Sequence, residues 1–223
     1  AKRLGFKGGR ALENSAGIGH VIGLTPADIR DNVQWSAVEM DTMSGRMLRK
    51  LYPQAAVQVT GFQDAKLPLN SFDLVIGNFP FSNITINVPG LPTFNTHNFF
   101  FARSVQLLKP GGLIVAITSE STMDRAGSLK FRQWMSERAD LVGAIRLPNT
   151  AFKENAGTEV TTDILIFRKK DGQGFSMAQP FVWTRPIVLS DSEGKEQEHY
   201  INEYFVENPE MVLGTHSLAG TMY

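Results

Sequence analysis

Residues 72–81 read Phe72-Asp73-Leu74-Val75-Ile76-Gly77-Asn78-Phe79-Pro80-Phe81, a short apolar strand with a tight glycine exit followed by an amide, a proline-stiffened backbone and an aromatic ring. At a strand's C-terminal end such a tetrapeptide can grip a planar nucleobase. The amide oxygen and a neighbouring backbone carbonyl accept both hydrogens of an exocyclic amine, and a ring stacks on the base. No side chain of the four has to titrate. The same residues also read as an Asn-x-Pro turn that closes the strand, with Phe81 packed into the core.

Upstream, a strand at Arg10 to Leu12 runs through Glu13 and Asn14 into the small-residue turn Ser15-Ala16-Gly17-Ile18-Gly19, and Val21 to Leu24 can open a helix. Glycines there let the backbone adopt φ > 0 and pass close to a ligand. Glu13 at the strand end suits a cation such as an amino acid's ammonium group and disfavours a pyrophosphate. Gln34 to Asp41 reads as a strand ending in an acid, roughly 20 residues after the turn, where doubly wound folds place a ribose-binding carboxylate. Glu39 is therefore a candidate for two ribose hydroxyls and equally a solvated acid at a strand end. Met40 reads as a lid on an adenine ring or as core. Val57 to Asp64 gives a further strand, and Asp64 is either an acceptor for an adenine amine or a turn former before Lys66-Leu67-Pro68.

The alternation continues downstream. His97 to Leu108 has helical apolar spacing and ends at Lys109-Pro110-Gly111-Gly112. The run Leu113 to Thr118 reads as a buried parallel strand, Leu129 to Ala139 as an amphipathic helix, Leu141 to Leu147 as the next strand and Thr161 to Arg168 as the last. A hairpin between those two strands has Pro148 to Thr158 as its loop. After Lys170 the composition turns polar, with Leu189 to His199 expected to be exposed and Tyr200 to Met211 expected as a short amphipathic helix.

These fragments together resemble the class I S-adenosylmethionine-dependent methyltransferases, and specifically the N6-adenine DNA methylases with an N-P-P-[FY] signature, here with Phe79 in place of the first proline. The resemblance implies an α/β, Rossmann-like domain with a mostly parallel seven-stranded sheet, a C-terminal antiparallel hairpin strand and helices on both faces. It assigns Glu13, Ser15, Ala16, Gly17 and Gly19 to the methionine half of S-adenosylmethionine, Glu39 to the ribose, and Met40 and Asp64 to the adenine. Asn78, Phe79, Pro80 and Phe81 become the catalytic tetrapeptide, with Asn78 also beside the cofactor. Phe152 in "LPNTAF" faces the target base opposite Phe81, or anchors its loop. Since Phe79 is implied to act through its carbonyl, Phe79→Pro is expected to be tolerated. The implied reaction is methyl transfer to adenine N6 in DNA after base flipping. A cofactor-binding module without turnover, or an N-methyltransferase acting on RNA guanine or protein glutamine, shares the same logic.

Both ends of the chain resemble the methylase region of large plasmid- and phage-borne proteins that join a methylase to a helicase. A catalytic domain is thus expected over 1–170, and an extension or linker toward a missing domain over 171–223. Length and 42% hydrophobic content suit one full core. No signal peptide or membrane span is visible, so a cytoplasmic setting is expected. There is no cysteine, and the four histidines lack metal-ligand spacing. Lys+Arg 22 balances Asp+Glu 22, whereas a freestanding duplex binder carries a basic surplus. DNA binding is therefore expected to draw on parts outside this chain. Arg125, Lys130, Arg132 and Arg138 form either a local basic patch or a solvated helical face.

Overall fold

The computed structural model describes residues 1–82, 84–152, 160–172, 178–190 and 194–216. Its centre is a seven-stranded sheet. The first strands are β1 (Gly9–Glu13), β2 (Val33–Glu39), β3 (Ala56–Val59) and β4 (Phe72–Asn78). Two short strands, β5 (Thr85–Ile86) and β6 (Phe94–Asn95), pair with each other outside the sheet. The sheet resumes with β7 (Leu108–Ser119), β8 (Ala139–Leu147) and β9 (Thr162–Lys169), in the order β3-β2-β1-β4-β7-β9-β8. All pairings are parallel except those of β9, which runs antiparallel between β7 and β8. This is the sheet expected, with its antiparallel hairpin strand last in sequence.

Local chemistry sets the helices. α1 (His20–Gly23) and α2 (Ala27–Arg30) are single turns, so the helix opened at Val21 is shorter than its apolar run suggests. α3 (Thr42–Leu51) was not anticipated. Its start is fixed by Asp41, whose carboxylate accepts the Ser44 N–H at 2.7 Å, the usual N-cap bond. Asn95 caps α4 (Thr96–Leu107) in the same way. α4 is buried almost all round, which explains the uninterrupted Phe99-Phe100-Phe101. Phe99 and Phe100 meet Phe62, while Phe101 meets Phe131 of α6 (Leu129–Ser136) and Phe167 of β9. Between β7 and α6 lie a single helical turn, α5 (Ser121–Asp124), and a 3-10 turn at Ala126–Ser128.

Beyond this core the fold differs in part from expectation. Tyr200 to Met211 is not one helix. β10 (Thr184–Ser190) and β11 (Glu196–Asn202) form an antiparallel hairpin, followed by a helical turn at Glu203–Glu207 and a 3-10 turn at Pro209–Met211. Of the two forms expected for the segment after Lys170, extension or linker, its described part has the form of a packed extension. Phe181, Ile201, Tyr204 and Phe205 are buried in the same cluster as the sheet and α4, and the Phe181 and Phe167 rings lie 5.2 Å apart. The described tail is structurally part of the first 170 residues' core. One member of the expected basic patch lies inside, while Arg125, Lys130 and Arg138 are exposed. Arg132 is buried, donating to the carbonyls of Val182, Thr122 and Arg125, and Arg138 stacks on Trp134 and pairs with Glu137.

Candidate active site

The strand order reverses between β1 and β4, and in open α/β sheets the crevice at that switch, above the strands' C-terminal ends, is where ligands bind. Glu13 ends β1 and Asn78 ends β4. The loop after β1 is tied directly to the exit of β4, since the Ser15 hydroxyl donates to the Asn78 carbonyl at 2.6 Å. Asn14 pins the loop from behind through a 3.0 Å bond to Ser104 of α4. Gly77 permits this approach, because a β-carbon there would sit 3.3 Å from the Asn14 amide oxygen. Asn14 and Ser104 escaped sequence analysis; one buried amide and one buried hydroxyl give no pattern.

The turn itself is held by Glu39. Gly17, at φ 54°, donates its N–H to one carboxylate oxygen at 2.6 Å, and Asp41 donates to the other at 2.7 Å. Ala16 donates to the Val38 carbonyl at 3.0 Å. Gly19, at φ 88°, is forced by contact as well as conformation, since a β-carbon would meet Leu48 and Tyr52 at 2.6 Å. Glu13 is buried beneath, facing the backbone N–H groups of Val21 and Ile22. Its Oε2 finds no hydrogen-bond partner among the described residues. Burial pushes its pKa up to about 7, with the Glu39 charge adding a smaller push and the two N–H groups opposing. A buried carboxyl with one orphaned oxygen is what an ammonium group would complete. Residues 13 to 19 thus fit the amino-acid end of S-adenosylmethionine.

The other candidates lie along the same edge. Met40 and Phe81 are both exposed, so neither is the core residue of its plainer reading. Asp64 is exposed and accepts a 2.9 Å bond from the adjacent Gln63 side chain. The turn that carries it follows Thr60, whose N–H bonds the Glu39 carbonyl at 2.9 Å. Pro80 is exposed, and the Asn78 side-chain amide, also exposed, enters no hydrogen bond among the described residues. Phe152 is half-buried in a 3-10 turn at Asn149–Phe152; residues 153–158 of the expected loop lie outside the described residues.

Phe79 departs from expectation. Its side chain is 1% exposed and packs on Phe101 and Phe100 at 4.7 and 5.6 Å. Its N–H donates to the Ile117 carbonyl at 2.9 Å. A proline could supply neither contact, so Phe79 is a core anchor and Phe79→Pro is now expected to destabilise the chain.

A buried ion cluster braces the far side. Arg146 of β8 makes a fork to Asp163 of β9, at 2.8 and 2.9 Å, and a 2.7 Å bond to Asp124 of α5. Burial alone would lower the Arg146 pKa, but the two carboxylates outweigh it and hold the guanidinium charged. Asp124 also accepts the Asn202 N–H at 2.9 Å, and the Asn202 side chain bonds the carbonyls of Met123 and Phe181. The sequence did carry a signal for this, an Arg and an Asp inside otherwise apolar strands.

This sheet and its crevice define the fold of the S-adenosylmethionine-dependent class I methyltransferases. Among solved structures, the chain superposes on a protein from Listeria monocytogenes described as a member of that class, with a TM-score of 0.62, 17% identity, and coverage of 77% of this chain and 56% of the other. It also superposes on the M protein of the type I restriction enzyme EcoKI, with a TM-score of 0.62, 17% identity, and coverage of 82% and 44%. Residues 50–152 match the family described as Eco57I restriction-modification methylase. Over 174 residues, 75% of the chain, the sequence is 31% identical to the Defense against restriction protein B of Escherichia phage P1, of which it spans only 8%.

Proposed function

We propose that this chain transfers the methyl group of S-adenosylmethionine to the N6 amine of adenine in DNA. The carrying observation is the bond from the Ser15 hydroxyl to the Asn78 backbone carbonyl, which joins the turn suited to the cofactor to the residue whose side-chain amide suits the base. The family's name, and the restriction setting of the EcoKI and phage P1 proteins, support DNA as substrate. A cytoplasmic setting goes with that substrate.

The bound cofactor supplies an electrophilic methyl on a sulfonium. Glu13 and the 15–19 turn hold its amino-acid end, Glu39 its ribose, and Met40 and Asp64 its adenine. The target amine is a poor nucleophile because its lone pair is delocalised into the ring. The Asn78 amide oxygen and the carbonyl of residue 79 accept its two hydrogens, favouring a pyramidal nitrogen aligned with the methyl. Positioning and preorganised polar contacts are therefore the main catalytic terms. Phe81 and Phe152 flank the extruded base, and stacking offsets part of an extrusion cost of roughly a few kcal/mol. With no net charge, the isolated chain is expected to hold duplex DNA weakly, and other parts of a longer protein would supply grip.

Mass spectrometry of nucleosides and peptides, after incubation with labelled cofactor and mixed DNA, RNA and protein, tests the reading. Label in N6-methyladenine is expected; label in guanine or glutamine would replace the substrate assignment. Asn78→Ala should lower transfer at least about a hundredfold with cofactor affinity nearly unchanged. Wild-type turnover in that variant would return residues 78–81 to a strand-closing turn.

Glu39→Ala should weaken cofactor binding by about tenfold or more, because it removes charge-assisted acceptance from the ribose and frees the Gly17 turn together. Equal affinities by calorimetry would remove Glu39 from the site. Glu13 gives a pH signature. In the folded chain without cofactor it keeps its proton up to about 7, against a reference of 4.5, so between those values the folded state holds more protons than the unfolded. Stability should fall as pH rises through that window, by an amount on the order of 3 kcal/mol. Cofactor affinity should rise with pH to about 7, because the ammonium pairs with the ionised form. Glu13→Gln should flatten both profiles; unchanged slopes would mean that another group titrates.

A further inference from the structure

α3 is amphipathic in the wrong sense for a helix that serves only its own fold. Its inward face consists of little more than Gly45 and Leu48. Gly45 packs so tightly that a β-carbon would meet Val59 at 2.7 Å. The other large apolar side chains point outward. Met43, Met47 and Leu51 are 68%, 50% and 57% exposed, and their i, i+4, i+8 spacing puts them in one row. Leu24 is also exposed, at the end of α1, and the preceding Gly23 abuts Tyr52 at the end of α3. Single exposed apolar residues are ordinary, whereas a contiguous row marks an interaction surface.

Charge selects the occupant. Thr42–Leu51 contains Arg46, Arg49 and Lys50 and no acid. Arg49 turns to the Val57 carbonyl at 3.3 Å. Arg46 and Lys50, four residues apart, line one edge of the apolar row. A second copy packed antiparallel would bring these like-charged edges together, which opposes self-association. We infer that the outer face of α3 is a docking surface for an amphipathic helix of a partner polypeptide, its apolar side on Met43, Met47 and Leu51 and an acidic edge along Arg46 and Lys50. This surface lies outside the residues proposed to bind cofactor or base.

Fluorescence anisotropy with the full chain tests it. The probe is a labelled synthetic helix of about 18 residues, with leucines on one face and glutamates along one edge; its control carries lysines in place of the glutamates. The acidic probe should bind at least about tenfold tighter than the basic one. Met43→Ser with Met47→Ser should weaken it at least about tenfold, with circular dichroism and thermal midpoint unchanged because neither side chain is buried. Arg46→Glu with Lys50→Glu should invert the preference between probes. Binding with no charge preference, or no binding at all, would overturn the inference. So would sedimentation showing a dimer lost in the methionine variant, or duplex DNA binding lost in the charge-reversed one, since these identify another copy or nucleic acid as occupant.

Discussion

Arg146→Ala should destabilise the chain by about 3–5 kcal/mol, the cost of leaving buried carboxylates without their cation. Asp163 is completely buried and meets the guanidinium through two bonds of 2.8 and 2.9 Å. Asp124 lies 2.7 Å from the third nitrogen. The Phe205 ring also loses a guanidinium stacked 4.2 Å from its centroid. Replacing Arg146, Asp163 and Asp124 together by apolar residues of similar volume should cost far less, because no charge is then stranded. Urea denaturation of both variants checks the pair; a single-variant loss below about 1 kcal/mol would mean that water reaches the cluster and solvates the acids. The consequence reaches the site. Arg146 and Asp163 stand at the ends of β8 and β9, and the 3-10 turn of Phe152 leaves β8 directly. The Leu213 N–H also bonds the Arg146 carbonyl at 2.9 Å, so the tail braces the base of that turn.

Phe79→Pro should cost about 3–5 kcal/mol, on the scale of truncating a buried phenylalanine, to which a lost hydrogen bond adds about 1 kcal/mol. In the related methylases a proline at this position is native; here the chain has built two contacts on a side chain and an N–H that proline lacks. Denaturation separates the possibilities cleanly. Wild-type stability for Phe79→Pro would mean that the Ile117 contact and the aromatic packing are replaceable, and position 79 would revert to a carbonyl alone. Cofactor affinity measured where the variant is still folded should stay near wild type, because residues 13 to 19 and Glu39 are not in that packing.

Much of the scaffold was legible because it rests on local chemistry. The strands of the sheet announced themselves as short β-branched or apolar runs, and the glycine turn by two positions that structure confirms at positive φ, Gly17 and Gly19. Glu13 and Glu39 are the last residues of β1 and β2, whereas the strand expected to run to Asp64 stops at Val59 and leaves Asp64 in the turn that follows. The hairpin and packing of the tail were not legible because its residues are polar on average. Its few buried anchors, Phe181, Tyr204 and Phe205, are spaced by the demands of a distant surface and follow no helical or strand period.

The sequence by itself determined the strands of the central sheet, the polar tetrapeptide at the end of one strand and the acids at the ends of β1 and β2, because period, turn chemistry and strand termini are written within a few residues. Tertiary structure alone decided that Arg132 is interior, that Arg146 joins two acids, that Phe79 is an anchor and that α3 turns its methionines outward. In each case the outcome depends on which partner arrives from far along the chain. An arginine reads the same whether water or a buried carboxylate will satisfy it, and a methionine row reads the same whether it will meet the core or be left for another molecule.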